Sequence, residues 1–512
     1  MFTTHLRRTV PCLALAFAVT LTGCQKEELL EKQFEPSINA SPSEHGYAIE
    51  GQYIVVFKNH SSGMSAAASH DMSSTERASF KSLRERTVNE ASIASANIVH
   101  NFDGVVNGFA AQLTSSQLES LKKNPDVAYI EQDRIVILNR GNNSDFSNNG
   151  KSPFKDIPTL GNGIDKDLST GGNGKSDKPK GPKNNTSPAP APKPEPLPSE
   201  PAPAEPTPSE PVLPVPTPEE PVAPVPTPTE PTPAEPAPPA PVTPAPSQPA
   251  GYQTIIPLAG ENLPWNIERV GYGDGTGKTV WVIDSGIDTD HPDLNIDFDR
   301  SSSFIYGVAS IEDGFGHGTS VAGIIAAKNN GSGMVGVASN ASVVALRVFD
   351  NNGAGSISRA IAAVNYISTN AKAGDVVNIS LGSGISSTLD NAVKAAASKG
   401  ILFAIAAGNS AVDCSGTSPA RVDANGVYTV SAIDTYNRLW ASSNYGASVD
   451  FAAPGANVTV TSVGGGIASG GNGTSFAAPH VAGILLLRGT VYSQGTVTGD
   501  KDATPDPIAS IK

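Results

Sequence analysis

Cysteine, basic charge and long apolar runs are all scarce in this chain. Its 512 residues hold three cysteines, Cys12, Cys24 and Cys414, too few and too scattered for a disulfide framework, so packing must hold the fold together. Lysine and arginine number 35 against 49 acidic residues, and the net charge of −14 argues against a nucleic-acid partner. The apolar run at residues 10–21 is too short to cross a bilayer as a permanent helix. What the chain has in excess is proline: 43 residues, mostly in one block. That unevenness and the length allow two or three domains.

Three stretches carry chemistry. Gly470-Gly471-Asn472-Gly473-Thr474-Ser475 leads into an apolar run at 476–487 that reads as a buried helix with its amino end at the Ser475 hydroxyl. Val280-Trp281-Val282-Ile283-Asp284-Ser285-Gly286 reads as a short apolar strand ending in a carboxylate at a glycine turn. Gly316-His317-Gly318-Thr319 sets an imidazole before a small-residue helix at 319–327. Singly, these could be a turn into a core helix, a turn aspartate and a satisfied core histidine. Together they supply what a serine nucleophile needs: a base for its proton, and an acid that holds the base in the right tautomer.

These residues resemble the subtilisin-like serine proteases, in particular the proteinase K branch. The order Asp284, His317, Ser475 is the order of that family, and D-S-G, G-H-G-T and G-T-S-x-A-x-P are its signatures. The resemblance runs from about Leu263 to about Arg488. One departure is Phe476, where the family most often has Met. The resemblance implies that Asn409 donates to the oxyanion with the Ser475 N–H, and that Ser380-Leu381-Gly382 and Ala406-Ala407-Gly408 line the specificity pocket. It further implies that Gly353-Ala354-Gly355 pairs with an extended polypeptide substrate whatever its side chains, hence broad specificity. It brings in a possible structural calcium at Asp450, with carbonyls of Asn425 and Val427; one carboxylate is thin support for a hard cation. No cofactor is required for the chemistry. A binding protein on a dead protease fold would need a broken triad, and none is broken; a serine esterase would be told apart by peptide against ester turnover.

The expected fold is α/β, a doubly wound parallel sheet. Apolar strands at 279–283, 343–348, 376–379, 401–406 and 427–432 are separated by helices near 356–368 and 388–398, and sites in such sheets lie beyond the strands' carboxyl ends. Before it, residues 47–138 read as a small α+β ferredoxin-like module. Its strands are expected at 53–58, 108–113 and 127–133, with helices at 74–86 and from a capping box at Thr114 to Lys123. This module resembles the subtilisin propeptide, an intramolecular chaperone and inhibitor that lays its last residues in the cleft.

Arg7-Arg8 before the apolar run, then Leu21-Thr22-Gly23-Cys24, resemble a bacterial lipoprotein signal peptide at 1–23 with lipidation of Cys24. That implies a membrane tether at 24–46, and Gln25-Lys26-Glu27-Glu28 resembles the acidic tag of surface lipoproteins. The expected location is the outer membrane or cell surface, with release after self-cleavage. Residues 139–253 are expected to be a disordered linker, Gly/Asn-rich and then Pro-rich; in polyproline II the latter part would span about 190 Å. Residues 254–512 form the expected catalytic domain. Cys414 is left without a partner.

Overall fold

The structure is a computed structural model that describes residues 45–58, 73–138 and 251–512. The expected signal peptide, Cys24, residues 24–44 of the expected tether and residues 139–250 of the expected linker lie outside the described residues.

The amino-terminal module runs β1 (Ala48–Phe57), α1 (Ser74–Glu90), β2 (Ile98–Asp103), β3 (Asn107–Gln112), α2 (Ser115–Lys122) and β4 (Val127–Ile137). Its antiparallel strands lie in the order β4-β1-β3-β2, the split βαβ sandwich expected from the element order. Both helices open on capping boxes, Ser73 with Glu76 and Thr114 with Gln117. Strand β2 is absent from the sequence reading. Its I-V-H-N-F-D pattern has weak alternation, and it is held by pairing with β3. Alternate residues of the sheet serve two cores: Val55, Phe57, Phe109 and Ala111 face the module's own helices, while Ile54, Phe102, Ala110 and Val136 join the core of the larger part.

In that larger part, α3 (Trp265–Val270) and the short pair β5 (Gly273–Asp274) and β9 (Ala338–Ser339) flank a large sheet. The sheet contains β6 (Thr279–Asp284), β7 (Asn295–Ile296), β8 (Ser302–Ser303), β10 (Ser342–Arg347), β12 (Val376–Ile379), β13 (Leu402–Ala406), β14 (Val427–Ile433) and β15 (Phe451–Pro454). It ends in β18 (Tyr492–Thr496) and β19 (Pro507–Ser510). Its order is β18-β19-β15-β14-β13-β12-β6-β10-β7, and every pair is parallel except the β18/β19 edge. Helices α4 (His317–Ala326) and α7 (Thr474–Arg488) cover one face, α5 (Ile357–Asn370) and α6 (Ser387–Ala397) the other. Strand β6 shows why its run is apolar throughout: Val280 and Val282 enter the first core, Trp281 and Ile283 the second. A hairpin of β16 (Ala456–Ser462) and β17 (Gly466–Asn472) and the short strand β11 (Ala354–Ser356) complete the fold.

Two helices start earlier than expected, α4 at His317 rather than Thr319 and α7 at Thr474 rather than Phe476. Ser475 is therefore inside the helix, not before it. In both cases the N-cap is a glycine without a capping side chain, so the usual start signal is missing and side chains outside the helix take its place.

The two parts meet along α5, α6 and β11. Strand β4 pairs antiparallel with β11, placing Ile137 opposite Ala354, Val136 opposite Gly355 and Ile135 opposite Ser356. Asn365 of α5 exchanges two bonds with the Val106 backbone, accepting its N–H at 2.9 Å and donating to its carbonyl at 3.1 Å.

Candidate active site

Strand β6 delivers Asp284 at its carboxyl end, fully buried. Its carboxylate meets Nδ1 of His317 at 2.8 and 2.9 Å, and accepts the Ser285 N–H at 2.7 Å. On the other side of the ring, Nε2 lies 3.0 Å from the Ser475 hydroxyl. With Asp284 accepting from Nδ1, Nε2 is left as the acceptor facing Ser475. Burial alone would lower the His317 pKa, but the charge and hydrogen bond of Asp284, helped by Asp313, outweigh it and hold it above the usual value.

The small residues of these stretches have steric reasons. A Cβ on Gly318 would lie 2.2 Å from the Gly286 carbonyl oxygen, so the turn after β6 and the start of α4 approach this closely only because one is glycine. Gly473, at φ +150°, faces the Ser475 hydroxyl and the Asn409 amide, where a side chain would crowd both.

Helix α7 holds Ser475 through an exchange of partners. Pro479 has no N–H, so the Ser475 carbonyl four residues before it loses its helical donor. The Ser380 hydroxyl replaces it at 2.9 Å, itself receiving a bond from Asn378 at 2.8 Å. As the second helical residue, Ser475 has an N–H with no intrahelical acceptor, free to face a ligand. Asn409, three residues beyond β13, accepts from the Thr474 N–H and hydroxyl, both at 2.8 Å, through Oδ1. A backbone N–H can only donate, so the amide orientation is fixed and its NH₂ faces the serine.

Residues 275–499 match the Subtilase family, and residues 52–139 match Peptidase inhibitor I9. Subtilisin Savinase of Lederbergia lenta is 44% identical over 235 residues, covering 44% of this chain and 84% of that relative. The chain belongs to the subtilase family. The Alkaline protease of Alkalihalobacillus alcalophilus is also 44% identical over 235 residues, covering 44% of this chain, but the match spans 60% of that relative. Alkaline serine exoprotease A of Vibrio alginolyticus is 40% identical over 226 residues, covering 44% of this chain and 41% of the relative.

The remaining expected positions of this subtilase fall as follows. Ser380-Leu381-Gly382 and Ala406-Ala407-Gly408 leave the ends of the adjacent parallel strands β12 and β13, and so run side by side next to Ser475. Gly353-Ala354-Gly355 forms the edge that carries β4, with the Leu138 N–H donating to the Gly353 carbonyl at 2.8 Å. Phe476 packs against His317, ring centroids 5.2 Å apart. Cys414 is buried, and desolvation pushes its thiol up to about 11, which makes it a packing residue rather than a reactive one. Asp450 accepts the Thr429 N–H at 2.8 Å, two residues from Val427, while Asn425 lies in the turn before β14. Among the described residues no group of three or more His, Cys, Asp or Glu is placed to hold a metal ion.

Two groups given no role in the sequence reading belong to this neighbourhood, Asp313, which it did not name, and Ser285, which it named only within the D-S-G motif. Both are buried polar residues bonded to the start of α4. An acidic residue four positions before the histidine was the available signal.

Proposed function

We propose that this subtilase is an exported serine endopeptidase of broad specificity, made as a self-processing zymogen. The observation that carries the reading is the His317 imidazole bridging Asp284 and Ser475, at 2.8 and 3.0 Å. In the reaction, His317 takes the Ser475 proton as the hydroxyl attacks a peptide carbonyl, and Asp284 stabilises the imidazolium. The Asn409 amide and the Ser475 N–H hold the oxyanion; His317 then protonates the leaving amine, and water releases the acyl group. All of these groups belong to the chain, so no cofactor enters the chemistry.

Substrate lies along β11 as an added strand between Gly353–Gly355 and Ser380–Gly382, and Ala406–Gly408 completes the pocket. The way β4 occupies β11 supports this. Residues 47–138 act as the intramolecular inhibitor, 139–253 as a spacer and 254–512 as the catalytic domain. Features that belong to the same proposal are descent from the proteinase K branch, a signal peptide ending at residue 23, lipidation of Cys24 and display at the outer membrane until self-cleavage. A structural calcium at Asp450, with the Asn425 and Val427 carbonyls, belongs to the same proposal; its one carboxylate accepts the Thr429 N–H at 2.8 Å. It would hold the turn before β14 and take no part in bond cleavage.

A sulfonyl fluoride probe tests the central claim. It should label Ser475 of the processed protein and abolish peptide turnover. Unlabelled, processed protein that still cleaves peptide would overturn the assignment.

A further inference from the structure

The catalytic imidazole sits at the first position of a helix whose N-cap is Gly316, which has φ +100° and no side chain with which to cap. The helix start is satisfied from outside. Asp313, 2% exposed, receives the Gly316 N–H at 2.7 Å and the Ser285 hydroxyl at 2.8 Å on Oδ1. Its Oδ2 receives the Thr319 N–H at 2.9 Å and the Thr319 hydroxyl at 2.7 Å. The Ser285 hydroxyl in turn accepts the Gly318 N–H at 2.9 Å.

These bonds tie together two segments distant in sequence. Ser285 follows Asp284 directly at the end of β6, while Gly316, Gly318 and Thr319 surround His317. One carboxylate therefore sets the spacing between the acid and the base, and its charge suits the positive end of the helix. The spacing matters because Nδ1 and Nε2 must meet their partners at once; an error of about 1 Å in such a constellation costs on the order of 10² in rate.

We propose that Asp313 is a positioning residue of the triad, clamping α4 to the turn after β6 and adding a second buried negative charge beside the imidazole. This rests on the protease reading above. The charged groups acting on His317 are Asp284 from β6 and Asp313 itself. Arg347 of β10 is acted on by Asp313, Asp350 and Glu312, and α7 presents the Ser475 hydroxyl and the Phe476 ring to the imidazole. A cap that served folding alone would hold the helix without influencing when His317 takes up a proton.

The experiment compares the full-length protein with Asp313→Asn and Ser285→Ala, each matured with a trace of the unmodified enzyme and normalised by sulfonyl fluoride titration of Ser475. Asp313→Asn should lower kcat by one to two orders of magnitude with KM within about twofold. It should also move the acid limb of kcat/KM to lower pH, because a negative charge that favours the imidazolium is lost. Ser285→Ala keeps the charge and loosens the clamp, so kcat should fall with the limb in place. An unmoved limb in Asp313→Asn, or unchanged kcat in Ser285→Ala, overturns the proposal. If Asp313→Asn yields no titratable serine, Ser285→Ala decides alone by the same criterion. Failure of the unmodified protein to be labelled would instead overturn the protease reading.

Discussion

The backbone N–H of Leu138 donates to the carbonyl of Gly353 at 2.8 Å, continuing the antiparallel pairing of β4 with β11 toward the triad. On the proposed function, a chain held in this way is both inhibitor and first substrate. Ser475→Ala should therefore accumulate as unprocessed protein, whereas the unmodified protein should yield a mature amino terminus beyond residue 138. Mass spectrometry of both checks this, and normal processing of the alanine variant would refute self-cleavage.

The module also caps two helices of the catalytic part. Glu131 receives the Thr388 N–H at 3.1 Å and its hydroxyl at 2.7 Å in the first turn of α6, and Asp133 receives the Ser358 N–H at 3.0 Å in the first turn of α5. Losing a cap costs about 1 kcal/mol. Glu131→Ala should weaken inhibition by about fivefold, mostly through faster dissociation. The time course of peptide turnover after self-cleavage reads this as an earlier rise.

Asn409 is oriented by Thr474, so its amide is in place before any oxyanion forms. Asn409→Ala should lower kcat by about 10²–10³ with KM little changed; the magnitude is that measured on subtilisin, a relative of this chain. Steady-state kinetics on a peptide substrate would show it, and a rise in KM alone would assign Asn409 to binding.

On the proposed mechanism, activity requires His317 neutral. Its raised pKa means that half-maximal kcat/KM on the acid side should fall above 6.5, with activity lost as pH drops through that value. Asp284→Asn removes the main raising influence and the tautomer control, so the residual rate should be about 10⁴ lower and its acid limb should lie at lower pH. Rate profiles between pH 5 and pH 9 would test both.

Asp506 shows the opposite linkage, on stability. Desolvation, with Asp500, Asp502 and Asp450 nearby, pushes its carboxyl up to about 7, while its Oδ2 accepts the Ser431 hydroxyl at 2.6 Å. A carboxyl raised on folding adds stability below its unfolded pKa and loses it as pH rises toward 7. Asp506→Asn keeps an acceptor for Ser431 and should raise Tm at pH 8 while changing it little at pH 4. Thermal melts at the two pH values would show the difference.

Much of this was legible in the residue order because local chemistry states it locally. Strand β6 is apolar throughout and ends in Asp284, and the runs of β12, β13 and β14 alternate with helices, which is enough to infer a parallel sheet buried on both faces. The capping box at Thr114 likewise lies within four residues of the helix it starts. Strand β17 was not legible: Gly466, Gly470 and Gly471 carry no strand preference, and its conformation comes from pairing with β16.

Residue types and their spacing were enough to propose an acid, a base and a nucleophile, because each sits in a motif whose glycines and small residues serve its own turn. Nothing in those motifs says how far apart the three lie. That distance is set by partners remote in the chain: Ser380 on the Ser475 carbonyl that Pro479 leaves free, Thr474 on Asn409, and Ser285 on Gly318 and Asp313 at the start of α4. Hydrogen bonds of that kind need both ends delivered within about 3 Å, and only a folded sheet with helices on both faces delivers them.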